Sequence, residues 1–210
     1  MRALSIAALA ILLTAAHLAG NTANSEVLFD NEHMRVVKTT LEPHQSAPFQ
    51  EPGRNRVLIH LGGGQMKRTA PDGKVEKVEF KDREVRWMPA GSPHMRENVS
   101  GQPFQIVEIE LKGKAQPKVV VPELDPLKVN PKNYKLELEN DHVRIFRVNF
   151  GPLEKGVRHT HVRNYIVAYL TPQAKGDRGQ VNPHFDEGTV THTENNPMDW
   201  PVERVAVELK

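Results

Sequence analysis

The residues of this 210-residue chain that are best suited to chemistry are two histidines separated by one threonine, His159 and His161. Side chains two positions apart on an extended strand point to the same side, so both imidazoles would face one environment. With a third imidazole from a neighbouring strand, they would bind a divalent metal and leave positions open for water, substrate or oxygen. The alternative is a pair of exposed histidines on an edge strand.

The elements that must position these histidines occur twice in the chain. Residues 31–36 align with residues 140–145 at an offset of 109, and an offset of 98 further along pairs His94 with His192. Two blocks in the same order at coherent offsets indicate an internal repeat. The drop from 109 to 98 indicates that the second copy lacks 11 residues between the blocks.

Both copies have the residue pattern of β-strands. Residues 33–41 and 142–150 alternate apolar and polar side chains, whereas 57–61 and 166–170 are short apolar runs typical of fully buried strands. No segment beyond the first 25 residues shows a sustained helical period. Many short strands separated by turn residues predict an all-β sandwich or barrel.

Two motifs resemble those of a known superfamily. Residues Pro89 to Asn98 match the pattern Pro-x-Gly-x-x-His-x-x-x-Asn at every fixed position. Residues 156–161 look like the start of the first cupin motif, and 187–196 look like a degraded second motif without its proline. The chain therefore resembles the cupin superfamily, specifically a two-domain bicupin. This resemblance implies an all-β fold of two tandem cupin-type double-stranded β-helix barrels, also called jelly-roll barrels.

The resemblance also implies a metal site in the second copy. His192 would supply the third nitrogen beside His159 and His161. The family usually adds a glutamate soon after the His-x-His pair, but residues 163–166 contain no carboxylate. A three-histidine site remains, similar to that of cupin thiol dioxygenases. Iron(II), manganese, nickel or zinc would each accept three imidazoles, so the identity of the metal stays open.

The first copy has a degenerate metal motif. At the offset of 109, His159 corresponds to Gln50 and His161 to Pro52. His94 therefore lacks its partner ligands, and we interpret it as a hydrogen-bonded histidine inside a structural, metal-free barrel.

Three further residues are candidates beside the predicted metal. Arg163 could orient a carboxylate substrate through a bidentate contact, although a surface salt bridge shared with Arg54 would also explain its recurrence. Tyr165 could place a phenol near the metal, or it could be a core aromatic. His184 is a candidate substitute ligand. We take Arg163 and Tyr165 as the predicted substrate-binding residues.

The N-terminal residues predict where the protein is located, and a proline-rich segment predicts its domain boundaries. Arg2 precedes a short run rich in Ala, Leu and Ile and then small residues, which is typical of a secretory signal. We predict a signal peptide at 1–25 and a periplasmic or secreted protein without an integral membrane segment after cleavage; an uncleaved anchor is the alternative. The predicted domains are an N-terminal barrel at 26–115, a proline-rich linker at 116–133 and a C-terminal barrel at 134–210. The linker is expected to be an extended connector or an edge strand.

The amino-acid composition limits the classes of binding partner and of bond that can be expected. The chain has 28 Lys+Arg against 26 Asp+Glu with mixed signs, so nucleic acid is not expected as a partner. It has no cysteine, which excludes disulfides and thiolate ligands. The small size of each copy favours packing of one barrel on the other and leaves room for a homo-oligomer. A small-molecule ligand is the expected partner.

Two functions from different classes remain after this reasoning. One is a metal-dependent oxidoreductase or dioxygenase acting on a small molecule, with three histidines in the C-terminal barrel. The other is a non-enzymatic protein of the cell envelope that binds a sugar or a small acid. A purely structural module is a third reading, because one fold hosts many unrelated functions.

Overall fold

The computed structural model describes residues 23–50, 53–91, 93–113, 123–172 and 183–210. Nearly all of the predicted signal peptide, and the linker up to residue 122, lie outside these ranges. The described residues form sixteen strands and one short helix, so the all-β prediction is confirmed. Within the described ranges, no helix combines the length and apolar character that a membrane crossing requires.

The strands fall into an N-terminal half, residues 23–113, and a C-terminal half, residues 123–210. The N-terminal half contains β1 (Asn24–Asp30), β2 (Met34–Leu41), β3 (Ser46–Gln50), β4 (Arg56–Leu61), β5 (Gly64–Thr69), β6 (Val75–Phe80), β7 (Val85–Met88), β8 (His94–Asn98) and β9 (Phe104–Leu111). The C-terminal half contains α1 (Pro126–Val129), β10 (Tyr134–Glu139), β11 (Val143–Phe150), β12 (His159–His161), β13 (Tyr165–Tyr169), β14 (Pro183–Asp186), β15 (Val190–His192) and β16 (Val202–Leu209).

The two halves repeat the same sheet order. The N-terminal half has a five-stranded sheet, β1-β2-β9-β4-β7, and a four-stranded sheet, β3-β8-β5-β6. The C-terminal half has the matching five-stranded sheet, β10-β11-β16-β13-β14, and a two-stranded sheet, β12-β15. These antiparallel sheets are consistent with jelly-roll barrels. The hairpin of β5 and β6 has no counterpart in the described part of the C-terminal half, where the sequence repeat is shorter.

Recurring asparagines explain much of the sequence repeat. The Oδ1 atom of Asn31 accepts hydrogen bonds from the backbone N–H groups two and three positions further on, both at 2.9 Å. Asn140 makes the same pair of bonds, at 2.8 and 3.0 Å, before β11. Asn98 and Asn196, buried in matching motifs, each donate to two backbone carbonyl oxygens. These asparagines fix turns, so the repeat preserves loop geometry as well as apolar positions.

Each half has its own apolar interior. The N-terminal barrel encloses Leu41, Ala47, Leu58, Met66, Phe80, Phe104 and Ile106. The C-terminal barrel encloses Tyr134, Phe146, Val148, Phe150, Tyr165, Val167, Val202 and Ala206.

A third apolar cluster joins the two five-stranded sheets. It takes alternate residues from both halves, such as Val107 and Ile109 of β9 and Val205 and Val207 of β16. Because side chains alternate along a strand, one face of each five-stranded sheet lines its barrel and the other packs on the opposite half. Burial on both faces explains the uninterrupted apolar runs of β4 and β13.

Two aromatic contacts connect the halves reciprocally. Trp87 of β7 stacks on His142 with ring centroids 5.4 Å apart. Phe185 of β14 stacks on His33 with centroids 5.9 Å apart. Trp87 and Phe185 occupy matching positions in the repeat, as do His33 and His142. The contact is therefore nearly twofold symmetric.

The predicted linker is not extended throughout. Residues Pro126–Val129 form one helical turn, and the side chain of Asp125 accepts a hydrogen bond from the N–H of Leu127 as its N-cap. Proline suits the first turn of a helix because its fixed φ fits and its missing N–H is not needed there. The prediction of an extended connector is wrong for this turn. The domain boundaries themselves stay a prediction, and β1 begins at Asn24, inside the predicted segment 1–25.

Candidate metal centre

The three predicted ligands lie on two paired strands inside the C-terminal barrel. Strand β12 pairs with β15 so that His159 stands opposite His192. His159 and His161 are fully buried and His192 is partly buried. One ring nitrogen from each lies within 4.8 Å of the others. The structure therefore brings together the set that the sequence predicted.

The closest pair of nitrogens fits a shared metal ion. His159 Nε2 and His192 Nε2 lie 2.9 Å apart. Metal–nitrogen bonds of about 2.0–2.1 Å, meeting at a right angle, would place two such ligands about 3 Å apart. Two neutral imidazole lone pairs at this separation repel each other unless a proton or a cation lies between them. The donor set therefore fits a divalent metal.

Hydrogen bonds on the far ring nitrogens orient two of the histidines. His159 Nδ1 lies 2.9 Å from the carbonyl oxygen of Val157, and His161 Nδ1 lies 2.7 Å from Glu208 Oε1. When Nδ1–H donates these bonds, the Nε2 lone pair of each ring is left for the metal. Asn130 holds Val157 through two bonds of 2.7 Å, so the end of the linker positions the site.

Burial favours the neutral form of His159 and His192. Desolvation is the main cause that lowers the pKa of His159 to about 4, and the neighbouring His161 and His192 lower it further. Desolvation also lowers the pKa of His192, with His161 as the next cause. Neutral imidazole is the form that binds metals, so protonation of His159 does not compete with a metal at neutral pH.

A phenol and a carboxylate adjoin the histidines, and the sequence reasoning missed both. Tyr134 Oη lies 3.0 Å from His159 Nε2 and donates a hydrogen bond to Glu194. Glu194 also forms an ion pair with Arg204. Desolvation raises the pKa of Tyr134, so its hydroxyl keeps its proton. The one available signal is that Glu194 follows His192 by two residues, the spacing that shares a side on an extended chain.

The two predicted substrate-binding residues, Arg163 and Tyr165, follow His161 closely in the sequence, and both are buried. Arg163 is 8% exposed, and its Nη1 has no hydrogen-bond partner among the described residues. The Tyr165 ring stacks on His161 with centroids 4.2 Å apart, and its hydroxyl bonds to Asp186. Their roles in binding substrate stay predictions. His184 lies outside the histidine group, with an exposed side chain 3.1 Å from Asp186.

Arg54-Asn55 and Arg163-Asn164 recur at the offset of 109, and the asparagines explain this recurrence. Asn164 Oδ1 accepts a 2.7 Å hydrogen bond from the N–H of Gly188, and Asn55 accepts a 2.8 Å bond from that of Ala90. These acceptors hold matching loops in the two halves, so the asparagines recur for a structural reason.

The N-terminal half keeps the strands but not the ligands. Strands β3 and β8 correspond to β12 and β15, and Gln50 stands opposite His94 where His159 stands opposite His192. His94 borders a cavity of that barrel.

No family model matches the chain, and no curated protein matches it. Solved structures do. AerE from Microcystis aeruginosa is 10% identical, with 92% of this chain and 95% of that chain covered and a TM-score of 0.67. A conserved protein of unknown function from Pseudomonas aeruginosa PAO1 is 13% identical over 90% of each chain, with a TM-score of 0.53.

A half-chain match is described as a cupin domain. That protein, from Bordetella pertussis Tohama I, is 24% identical, with 44% of this chain and 95% of that chain covered and a TM-score of 0.42. At these identities the likeness concerns the fold alone. The described residues have an all-β fold whose antiparallel sheets are consistent with jelly-roll barrels, and a three-histidine group that could bind a metal lies inside one of them.

Proposed function

We propose that this chain is an exported two-barrel cupin protein that binds one divalent metal through His159, His161 and His192 and acts as a metal-dependent oxidoreductase on a small molecule. The observation that carries the proposal is the convergence of three buried or partly buried imidazoles, two of them with Nε2 atoms 2.9 Å apart. A metal held there would polarise a small oxygen-bearing substrate, or activate dioxygen, at its open positions.

The chain's own residues would shape the space beside the metal. Tyr134 can donate its single proton either to His159 Nε2 or to Glu194, and with a metal on His159 the donation to Glu194 is the one that remains. Arg163 would bind a carboxylate of the substrate, since a buried guanidinium N–H without a partner carries a desolvation cost that such a ligand removes. Tyr165 would hold the His161 ring flat against its own.

The alternative is a non-enzymatic protein of the cell envelope that binds a sugar or a small acid. One observation favours it. Two carboxylates adjoin the histidine group, and each is already engaged: Glu194 by Arg204 and Tyr134, Glu208 by His161. Neither stands ready to accept a substrate proton as a general base.

Elemental analysis of the purified protein tests the metal. We expect one divalent metal per chain in the wild type and none in His159→Ala/His161→Ala. His184→Ala is the matched control, because it removes an exposed histidine that lies outside the group. A wild type without metal after reconstitution with iron, manganese, nickel and zinc would refute the proposal. So would a double variant that holds as much metal as the wild type.

Oxygen consumption then separates the two functions. Substrate-dependent uptake of dioxygen by the metal-loaded protein would support the oxidoreductase. Thermal stabilisation by a small acid or sugar without turnover would support the binding protein.

A further inference from the structure

The N-terminal barrel contains a cavity of about 530 Å³. This volume falls within the range of about 300–1,000 Å³ that is typical of small-molecule sites. Two of its lining residues, Arg56 and His94, occupy the positions that Tyr165 and His192 occupy in the other half. The cavity therefore lies where the C-terminal barrel carries its histidines.

The lining combines basic and apolar residues. Arg56, Arg68 and Lys74 line the cavity, and Glu76 is the one acidic residue among the described lining residues. Val75, Met88 and several alanines and prolines form the apolar remainder. A ligand that matches this lining carries a negative charge at one end and an apolar body at the other.

Arg68 is the cation best placed to receive that charge. Its Nη1 lies 3.2 Å from the carboxylate of Glu76, which is 63% exposed. Its Nη2 lies 3.2 Å from the thioether sulfur of Met88, a weak acceptor. Its buried Nε has no hydrogen-bond partner among the described residues. Desolvation lowers the pKa of Arg68, and the nearby guanidinium groups of Arg96 and Arg86 lower it further.

We propose that this cavity is a second ligand site that binds a small organic carboxylate with an apolar body. The guanidinium of Arg68 holds the carboxylate, because a planar fork of N–H donors matches two carboxylate oxygens. Met88 and Val75 contact the body of the ligand. The site is independent of the metal, so one barrel binds an anion where the other binds a cation.

Isothermal titration calorimetry with benzoate and cyclohexanecarboxylate tests the proposal. We expect both to bind the wild type, and Arg68→Gln to weaken binding at least tenfold, because it removes the charge-assisted hydrogen bonds to the carboxylate. Lys77→Gln is the matched control: it removes the same charge from an exposed position of β6 outside the cavity lining. Benzamide, which has the same ring without the charge, should not bind.

A second variant covers the case in which Arg68→Gln fails to fold. Val75 is 53% exposed at the cavity wall, so Val75→Asp adds a repelling charge without disturbing the core. It should weaken benzoate binding, whereas His159→Ala/His161→Ala should leave it unchanged. The proposal is overturned if neither acid binds the wild type, if Arg68→Gln and Lys77→Gln bind equally, or if only the histidine variant loses binding.

Discussion

Removing the Glu208 carboxylate should weaken metal binding without touching a ligand. Glu208 Oε1 lies 2.7 Å from His161 Nδ1, and both side chains are 1% exposed. In Glu208→Ala the Nδ1–H of His161 loses its acceptor inside the barrel. A buried donor without a partner costs about 1–3 kcal/mol, which corresponds to a change of about 5- to 150-fold in a dissociation constant. Loss of such outer partners commonly lowers metal affinity by about 10–100-fold.

Competition between the protein and a chromogenic chelator measures this change directly. Glu208→Gln should stay close to the wild type, because its amide oxygen can still accept the bond from His161. Glu110→Ala is the control, since Glu110 occupies the same position of the repeat in the N-terminal half, where strand pairing places it opposite Arg35 and Arg56. If Glu208→Ala binds zinc or cobalt as tightly as Glu110→Ala does, the orienting role of this carboxylate is wrong.

Three further perturbations test a buried ion-pair cluster in the N-terminal barrel, a close backbone contact in the C-terminal barrel, and metal binding itself. Glu108→Ala should lower the free energy of unfolding by about 3–5 kcal/mol in urea denaturation, because Glu108 pairs with buried Arg56 at 3.0 Å and with buried Arg96 at 2.6 Å; an unchanged midpoint would contradict this. Gly156→Ala should reduce both the melting temperature and the metal affinity, since its Cβ would lie 2.3 Å from the carbonyl oxygen of Glu194 and displace the segment that follows β15. Metal at a hundred times its dissociation constant should stabilise the folded protein by about 2.7 kcal/mol, measured by melting with and without a chelator; equal melting curves would argue against a native site.

The spacing of residues along the sequence was sufficient to predict strand β12, which carries His159 and His161. The His-x-His spacing required only the two-residue period of an extended chain, and the offset of the repeat located His192 on a second strand. The apolar runs that became β4 and β13 were predicted as buried strands for the same reason. These features depend on neighbours in sequence, or on a register that the repeat makes visible.

The surroundings of the histidines could not be predicted in the same way. Asn130 comes from the predicted linker and Tyr134 is the first residue of the predicted C-terminal barrel, and their contacts with His159 exist only after folding. Glu194 supplies a carboxylate from the segment that follows β15, whereas the family pattern places its glutamate after the His-x-His pair. No local period links such residues, because tertiary packing alone brings them together.

The reciprocal stacking of Trp87 on His142 and Phe185 on His33 has a consequence for the history and the folding of the chain. Two identical single-barrel subunits related by a twofold axis would make this same pair of contacts, so the chain has the layout of a homodimer fused into one polypeptide. Separating the halves would expose the apolar sheet face that each covers, and a single cooperative unfolding transition is the expected result. In a homodimer one gene encodes both barrels, so every substitution appears in both. In a fused chain each barrel has its own coding sequence, and the two barrels can therefore diverge. One barrel could thus keep its histidines while the other acquired arginines.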